Sequence, residues 1–473
     1  MLIGRKEEIF RLKKAFCSEV SEFVAVYGRR RVGKTYLIRE TFGKDFVFQY
    51  TGIYNIPNKQ QLEEFHHNLL IYGKNTDLPI PKNWFEAFHM LESVIEASTA
   101  PKKVVFIDEL PWMDSPNSRF LAALEHFWNG WASARKDILF VICGSATSWI
   151  VKKIFRNRGG LHNRVTCRMK IHQFTLSECE EYSRYRGLPV NRNMILEGYM
   201  VMGGIPYYWS YLDSSKSMAQ NINDLFFKTD GALHDEFSYI YASIFNSPDK
   251  YLKIIESLAS KKQGLTREEI IEASGLESNG QLTTMLENLT ESGFIRKYCH
   301  ANRKQKDAIY QLMDCFTFFY YRFLHNAVNA DDSYWMKLMS SSIYDNWCGL
   351  AFERVCLLHT RQIKQALGIG GIMANVYSWH VKRNEFHGGV QIDMLIDRSD
   401  NVVNVCEMKY ASNGYNMQLK DSNKLKNAIS VLGRYLPEKK YIQPVLITSN
   451  GVVANQHSME VNMQISADQL FLP

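Results

Sequence analysis

The segment from Gly28 to Thr35 has the spacing G-x-x-x-x-G-K-T, in which each residue type suits one part of a nucleotide. Glycines let the backbone wrap closely around a phosphate, and successive N–H groups then point inward at the start of a helix. Lys34 would reach the β- and γ-phosphates of ATP, and the Thr35 hydroxyl would hold Mg²⁺. The predicted nucleotide-binding residues of this loop are Gly28, Arg29, Arg30, Arg31, Val32, Gly33, Lys34, Thr35 and Tyr36.

Two acidic residues end a second apolar run, in KKVVFIDELPW. At the end of a buried strand, Asp108 could bind Mg²⁺ through water, and Glu109 could orient or deprotonate the attacking water. Ser145 follows a third apolar run and could either touch the γ-phosphate or the water, or cap the next helix. Four arginines lie between residues 156 and 168. One of them could stabilise transition-state charge, in cis or across the subunit interface of a homo-oligomer.

A second set of chemically matched residues lies in QIDMLIDRSDNVVNVCEMKY, where two apolar runs flank a turn-forming DRSDN. The side-chain alternation of a strand would place Gln391, Asp393 and Leu395 on one face. The same alternation would place Glu407 and Lys409 on one face of the following strand. The segment therefore predicts a hairpin that gathers two carboxylates and a lysine.

Glu353, on an amphipathic helix upstream of that hairpin, offers a third carboxylate. The predicted ligands of a second Mg²⁺ are Glu353, Asp393 and Glu407. Such an ion would activate water, and Lys409 would orient that water or stabilise a pentavalent phosphate. The alternative is that an Asp, a Glu and a Lys share a half-exposed hairpin by chance.

The elements that must position these groups divide the chain into four predicted regions. The strand–loop–helix pattern around the first site predicts an α/β P-loop NTPase fold with a parallel sheet. The predicted regions are a P-loop ATPase core at 1–174, a helical lid at 175–247, a winged helix with a connector at 248–330, and an α/β domain at 331–473. The order α-β-β-β-α-β in the last region is typical of the restriction-endonuclease-like fold.

The composition is that of an ordinary globular protein, with 473 residues of which 46% are hydrophobic and 22% charged. A net charge of +7 permits a polyanionic partner such as DNA without requiring one. The nine cysteines include no CxxC pair, which favours reduced thiols over a structural zinc site. The charged amphipathic N-terminus does not resemble a signal peptide, and no apolar run is long enough to span a membrane. We therefore expect a cytoplasmic protein without a membrane partner.

Several motifs in combination resemble a known group of proteins. The helix that begins near Ile3-Gly4-Arg5, the P-loop, FIDE and GGIPYYW together resemble the AAA-related ATPases of the STAND type. More narrowly, they resemble the archaeal-type prokaryotic ATPase family with a C-terminal DUF234-like region. The resemblance implies that ATP and Mg²⁺ are bound and that Pro206, in the helical lid, senses the nucleotide. It also implies a finger-like role for Arg164, although Asn163 stands where that family often has glycine.

The C-terminal pattern D-x(13)-E-x-K resembles the PD-(D/E)xK nuclease motif, with Ile392 in place of the proline. Three hypotheses follow: an ATP-regulated, metal-dependent nuclease acting on DNA; a STAND-like signalling switch with an inactive nuclease fold; and a nucleotide-gated DNA-binding protein acting through the winged helix. The third helix of that winged helix, near 279–291, has no Lys or Arg, which is unfavourable for phosphate contact. Contact with the phosphates of DNA would therefore have to come from the basic turn with Arg303, Lys304 and Lys306.

Overall fold

The computed structural model describes residues 2–74, 77–156, 159–245, 247–299, 308–325, 327, 333–381 and 389–473. The chain forms two compact units, Met1–Gln173 and Phe174–Pro473. Across the described ranges, no helix has both the length and the apolar character needed to cross a lipid bilayer. All nine cysteines are free thiols, as predicted, and six of them are buried.

In the described part of the first unit, five parallel strands form a sheet in the order β2-β3-β4-β1-β5. Its strands are short apolar runs that are buried along most of their length, as expected for a sheet covered on both faces. The strands are β1 Glu22–Tyr27, β2 Phe46–Thr51, β3 Lys103–Asp108, β4 Ile138–Gly144 and β5 Cys167–Lys170. The helices are α1 Lys6–Phe16, α2 Lys34–Phe42, α3 Asn58–Gly73, α4 Trp84–Ala97, α5 Phe120–Gly130 and α6 Thr147–Trp149.

This sheet confirms the predicted α/β fold with parallel strands. Strands β3, β4 and β1 are neighbours, so their carboxyl ends lie side by side at one edge. Ligands of open α/β sheets bind at that edge. Asp108 ends β3, Ser145 follows β4, and the loop from Gly28 follows β1. The strand order therefore brings three separate sequence motifs to one place.

The second unit begins with helices and continues with a small sheet. Its first helices are α7 Leu176–Tyr185, α8 Arg192–Met202, α9 Pro206–Trp209, α10 Met218–Ile222 and α11 Glu236–Ile244. There follow α12 Pro248–Ala259, β6 Leu265–Thr266, α13 Arg267–Ser274, α14 Gly280–Glu291, β7 Ile295–Tyr298, β8 Ile309–Leu312, α15 Cys315–Phe319 and α16 Tyr334–Leu338. The three helices α12 to α14 and the antiparallel pair β7 and β8 occur where the sequence predicts a winged helix.

The last part of the second unit is a mixed sheet with helices. Its elements are α17 Ser342–Leu358, α18 Thr360–Ala366, β9 Ala374–Val381, β10 Val390–Arg398, β11 Val402–Lys409, α19 Leu419–Gly433, β12 Tyr441–Thr448 and β13 Met463–Ser466. The sheet order is β13-β12-β11-β10-β9, antiparallel from β9 to β11 and parallel from β11 to β13. From α17 to β12, the strands and the long helices follow one another in the predicted order, with the short α18 added.

The alternation predicted for β10 is interrupted by a β-bulge. Ile392 pairs with Trp379 and Leu395 pairs with Tyr377, so β10 has one more residue than β9 between these two pairs. Ile392 and Leu395 consequently face the same hydrophobic core, although they are three positions apart. The prediction that Leu395 shares a face with Asp393 is wrong, because the additional residue shifts the alternation.

Candidate functional site

The loop after β1 has the backbone conformation that its glycines predict. Gly28 has φ +148°, and a Cβ there would stand 2.3 Å from the carbonyl oxygen of Ile171. Gly33 has φ +88° directly before α2, in the left-handed region that glycine adopts at little cost. The loop therefore ends at the N-terminus of a nine-residue helix, whose N–H groups favour bound anions.

Lys34 and Thr35 open this helix and contact different partners. The buried Lys34 ammonium donates a hydrogen bond of 2.9 Å to the carbonyl oxygen of Arg29, across the loop. Thr35 Oγ1 donates to Asp108 Oδ2 at 2.7 Å. A hydroxyl and a carboxylate so close together are oxygen donors of the kind that Mg²⁺ prefers. These residues therefore fit the predicted ion.

Glu109 is held by Ser145 at the ends of two neighbouring strands. Glu109 Oε2 accepts hydrogen bonds from Ser145 N at 3.1 Å and from Ser145 Oγ at 2.9 Å. Burial, reinforced by the charge of Asp108, raises the pKa of the Glu109 carboxyl, and Lys34 and Ser145 oppose this shift. The alternative that Ser145 caps the next helix is wrong, because α6 has Ala146 at its N-cap.

Arg5 also contacts the nucleotide loop, although the sequence does not predict this contact. Its buried guanidinium donates from Nη2 to Val32 O at 3.2 Å and to His172 O at 2.6 Å. The side chain thereby ties the nucleotide loop to the segment after β5. Arg5 directly follows Gly4 in the motif Ile3-Gly4-Arg5, but the spacing of that motif does not indicate the contact with the loop.

Arg164 lies at the edge of the sheet opposite to the nucleotide loop. It belongs to the turn before β5, where Thr166 N donates to Phe23 O near the start of β1. Because β1 and β5 are parallel, residues before β5 are separated from the loop by the length of the strands. The prediction that Arg164 acts on the nucleotide site of its own chain is therefore wrong. Its action across a subunit interface stays a prediction. Asn163 has φ +55°, a conformation that suits the glycine of the resembling family.

The remaining predicted nucleotide residues are placed as follows. Tyr36 is half exposed on α2, and Arg29, Arg30 and Arg31 are partly exposed in the loop. Pro206 is the first residue of α9 in the second unit. Two residues before Pro206, at Gly204, a Cβ would stand 1.9 Å from Phe174 O, so this turn requires glycine. The sensing role of Pro206 stays a prediction.

In the second unit, Glu353 and Asp393 share a lysine that the sequence did not indicate. Lys262 Nζ lies 2.7 Å from Glu353 Oε1 and 3.6 Å from Asp393 Oδ1. Burial, together with the neighbouring charges, raises the pKa of both carboxyls; Asp393 acts on Glu353, and Glu407 acts on Asp393. The charge of Asp393 thus disfavours ionisation of Glu353, the charge of Glu407 disfavours ionisation of Asp393, and Lys262 opposes both effects.

Glu407 has lysine partners of its own. Its Oε1 lies 2.8 Å from Lys409 Nζ and 3.2 Å from Lys424 Nζ. Although burial acts in the other direction, these lysines lower the pKa of the Glu407 carboxyl. We use the name acid–lysine cluster for the three carboxylates and three lysines Glu353, Asp393, Glu407, Lys262, Lys409 and Lys424.

The predicted metal ligands are therefore only partly brought together. Within the described ranges, no three or more His, Cys, Asp or Glu side chains are grouped as in a metal site. Glu353 and Asp393 meet at Lys262, whereas Glu407 pairs with two other lysines. Metal binding at this cluster stays a prediction. The basic turn with Arg303, Lys304 and Lys306 lies outside the described residues.

Comparisons with known proteins identify the first part of the chain. Residues 2–212 match the model of an ATPase domain found predominantly in Archaea. An uncharacterized protein of Methanocaldococcus jannaschii, MJECL04, is 24% identical over 408 residues, which cover 84% of each chain. Over residues 2–212, the chain is therefore similar to an ATPase domain of the archaeal type.

Two solved structures resemble the chain at lower similarity. The Walker-type ATPase PABY2304 of Pyrococcus abyssi has a TM-score of 0.49 and 16% identity, covering 68% of this chain and 96% of that one. The ORC2 protein of Aeropyrum pernix, in its ADPNP and ADP complexes, has a TM-score of 0.42 and 14% identity, covering 72% of this chain and 96% of that one.

Proposed function

We propose, starting from the archaeal-type ATPase domain at residues 2–212, that this protein binds and hydrolyses ATP and that its nucleotide state controls a nuclease-like C-terminal site. The observation that carries the ATPase proposal is the contact of Thr35 Oγ1 with Asp108 Oδ2, beside the buried Lys34. A hydroxyl, a carboxylate and an ammonium at the start of a helix are the groups that hold Mg²⁺ and phosphates in P-loop ATPases.

Each residue of the nucleotide site has a separate task in this proposal. Lys34 leaves the Arg29 carbonyl and binds the phosphates, while Thr35 and Asp108 hold the ion. Bound Mg²⁺ would neutralise the charge that develops on the phosphoryl oxygens. Glu109 orients the attacking water, or takes its proton, from the position in which Ser145 holds it. Burial raises the pKa of the Glu109 carboxyl, which makes its carboxylate a stronger base toward the proton of that water.

The test of the ATPase proposal is Lys34→Ala. We expect ATP binding to weaken by at least about a hundredfold and hydrolysis to fall to background, because a buried charge-assisted phosphate contact is lost. Binding is measured with a fluorescent ATP analogue, and hydrolysis by phosphate release. Lys59→Ala serves as the matched control, because Lys59 is 89% exposed on α3. Unchanged hydrolysis in Lys34→Ala would contradict the proposal.

The nuclease part of the proposal is supported by the C-terminal sheet and its residues. Helix α17 and strands β10 and β11 carry Glu353, Asp393, Glu407 and Lys409 in the order that the sequence predicts for a PD-(D/E)xK site. The nearness of Glu353 and Asp393 to the same Lys262 ammonium supports a shared cation site. Mg²⁺ at that position would keep several waters and bind a DNA phosphate, as is usual for this ion. The winged helix would position the DNA.

A second candidate function is favoured by the charges of the same cluster. Each of its carboxylates already has a lysine partner, as in a structural ion-pair network. The C-terminal domain would then be an inactive nuclease fold in a STAND-like signalling switch, in which ATP biases two arrangements of the chain. DNA cleavage decides between the two candidates.

The deciding experiment incubates plasmid DNA with the full chain, Mg²⁺ or Mn²⁺, and either ATP or no nucleotide. The variants are Asp393→Asn and Lys409→Ala, with Asp400→Asn as the control because Asp400 lies in the exposed turn after β10. We expect metal-dependent cutting that Asp393→Asn and Lys409→Ala abolish and Asp400→Asn retains. No cutting with either metal, while ATP hydrolysis continues, would favour the signalling switch.

A further inference from the structure

Lys262 occupies the position of a bound cation between Glu353 and Asp393. Its ammonium lies 2.7 Å from one carboxylate and 3.6 Å from the other. These two acids are largely buried, with side chains only 13% and 9% exposed. Two buried carboxylates stay ionised side by side only when a positive charge is nearby. In this conformation that charge comes from the chain itself.

The backbone of Lys262 is fixed by the antiparallel pair β7 and β8. Gln311 Nε2 donates to Lys262 O at 2.8 Å, and Tyr298 OH donates to Gln263 O at 2.9 Å. The turn ends at Gly264, with φ +79° and a Cβ position 2.4 Å from Tyr310 O, so other residues would be strained there. Gln263 Nε2 also donates to Gln391 Oε1 of β10 at 2.6 Å, so the turn is held from both sides next to the acid pair.

The side chain itself is able to leave the acids while its backbone stays in place. Lys262 is 38% exposed and has a flexible four-carbon stem. It also lines a cavity of about 390 Å³, together with Glu256, Tyr321 and Trp347. Glu256 offers an alternative carboxylate in that cavity. A rotation of the Lys262 side chain into this cavity would move its charge away from the pair.

Each carboxylate of the acid–lysine cluster already has an ammonium partner. Three carboxylates, Glu353, Asp393 and Glu407, face three ammonium groups, of Lys262, Lys409 and Lys424. A divalent cation that approaches Glu353 and Asp393 meets the opposing charge of Lys262 at the same two carboxylates. The site would gain its attraction for the ion only when one lysine moves away.

We propose that Lys262 is an internal competitor of the divalent cation, so that metal binds at Glu353 and Asp393 only when the Lys262 side chain withdraws. This inference rests on the metal-dependent site of the proposed function and names its regulation. The competition lowers metal affinity in the resting chain. Whatever draws the lysine away, for example a polyanion that offers it a phosphate, raises that affinity.

The experiment measures Mn²⁺ binding to the nucleotide-free full chain by electron paramagnetic resonance of the free ion. The metal site is defined by the binding that Asp393→Asn removes. We expect Lys262→Met, which keeps the length of the side chain and removes its charge, to raise the affinity of that site by about tenfold or more. Lys262→Gln repeats the test with a polar side chain, and thermal unfolding verifies that both variants are folded.

Two controls separate competition from a general loss of positive charge. Lys261→Met removes a charge from the exposed neighbouring residue and should leave Mn²⁺ affinity unchanged. Lys262→Arg keeps the charge and should keep the low affinity. The gain must also disappear in the double variant Lys262→Met, Asp393→Asn. Equal or weaker Mn²⁺ binding in folded Lys262→Met, compared with the unsubstituted chain, overturns the inference.

Plasmid cleavage in the same samples distinguishes this inference from the proposed function. Raised Mn²⁺ affinity without cleavage supports the competition and contradicts the nuclease. Cleavage with an Mn²⁺ affinity that Lys262→Met does not change supports the nuclease and overturns the competition. If no Asp393-dependent Mn²⁺ binding is found in any variant, both are overturned.

Discussion

The nucleotide site of the first unit and the acid–lysine cluster of the second use the same residue types in different arrangements. In the first, Asp108 contacts the hydroxyl of Thr35, and the nearby Lys34 ammonium is bound to a carbonyl oxygen. In the second, Glu353 and Asp393 contact an ammonium directly. The first site thus leaves its carboxylate available for a metal ion, whereas the second neutralises its carboxylates.

Carboxylates and a lysine at strand ends therefore do not by themselves define a metal site. The position of the ammonium group decides whether the carboxylates are available to a metal ion. A lysine held by a carbonyl stays available for phosphate, and a lysine held by two acids takes the place of the ion. The comparison therefore predicts opposite results for the same substitution, since Lys34→Met would weaken ligand binding and Lys262→Met would strengthen it.

Among substitutions in the two sites, Glu109→Gln should reduce activity most. The substitution keeps the size of the side chain but removes the carboxylate that orients or deprotonates water. We expect ATP turnover to fall by about 10²- to 10⁴-fold while ATP binding stays within about threefold, because general base catalysis contributes that much. Phosphate release and a fluorescent ATP analogue measure the two quantities.

Glu7→Gln is the control for this substitution, since Glu7 is exposed on α1. Turnover that survives in Glu109→Gln would show that another group acts on the water. The first site would then be poised for binding alone, and its contrast with the acid–lysine cluster would be smaller than we infer.

The nucleotide site was predictable from sequence because its groups follow strand ends. Gly28 to Thr35, Asp108 and Ser145 each come directly after a buried apolar run, and parallel strands align such ends at one edge. The bond from Ser145 to Glu109 was not predictable, because it depends on where α6 begins. Nor was the position of Arg164, which required the order of the strands.

The acid–lysine cluster was predictable only in its local part. Glu407 and Lys409 are two positions apart on one strand, and they do share an ion pair. Lys262 approaches from a turn between α12 and β6 that is distant in sequence, and no spacing rule indicates it. The β-bulge after Ile392 was also missed, because strict alternation has no signal for an added residue.

The fully buried His359 should make the stability of the second unit depend on pH. Its Nε2 accepts from Leu176 N at 3.0 Å, so the ring proton is on Nδ1, which donates to Val355 O at 2.8 Å. Burial lowers the pKa of this imidazole from 6.5 to about 4. The folded state therefore binds fewer protons than the unfolded state below about pH 6.5, and stability falls as the pH falls.

Between about pH 7 and pH 5 this histidine should reduce the free energy of unfolding by about 2 kcal/mol. Urea unfolding of the full chain at the two pH values measures the loss. In His359→Gln the loss should be smaller by that amount, because the variant has no imidazole to protonate, while all other titrating groups are shared. Identical losses in both chains would contradict the buried neutral imidazole.

A smaller effect is expected for Ser145→Ala in the nucleotide site. The variant removes one of two hydrogen bonds that Glu109 accepts, and the backbone N–H of residue 145 keeps the other. We expect turnover to fall by about tenfold with ATP binding unchanged, since a hydrogen bond to a charged group contributes about 1.5–3 kcal/mol. Ser133→Ala, at an exposed serine, is the control. Full turnover in Ser145→Ala would show that the hydroxyl does not position Glu109.

The smallest effect is expected for Lys424→Met in the acid–lysine cluster. Lys424 pairs with Glu407 at 3.2 Å but is 61% exposed, so solvent and salt screen its charge. We expect the affinity of the Asp393-dependent Mn²⁺ site to change by no more than about threefold, because exposed ion pairs contribute about 0–1 kcal/mol.

This small effect tests the comparison of the two sites most directly, because Lys424→Met and Lys262→Met each remove one positive charge from the same cluster. If Lys262 acts by contact with Glu353 and Asp393, only its removal raises Mn²⁺ affinity strongly, and the gain persists at high salt. If the cluster repels metal only through its summed charge, the two variants give equal gains that salt abolishes. The ratio of the two gains therefore measures how much of the competition belongs to the position of Lys262.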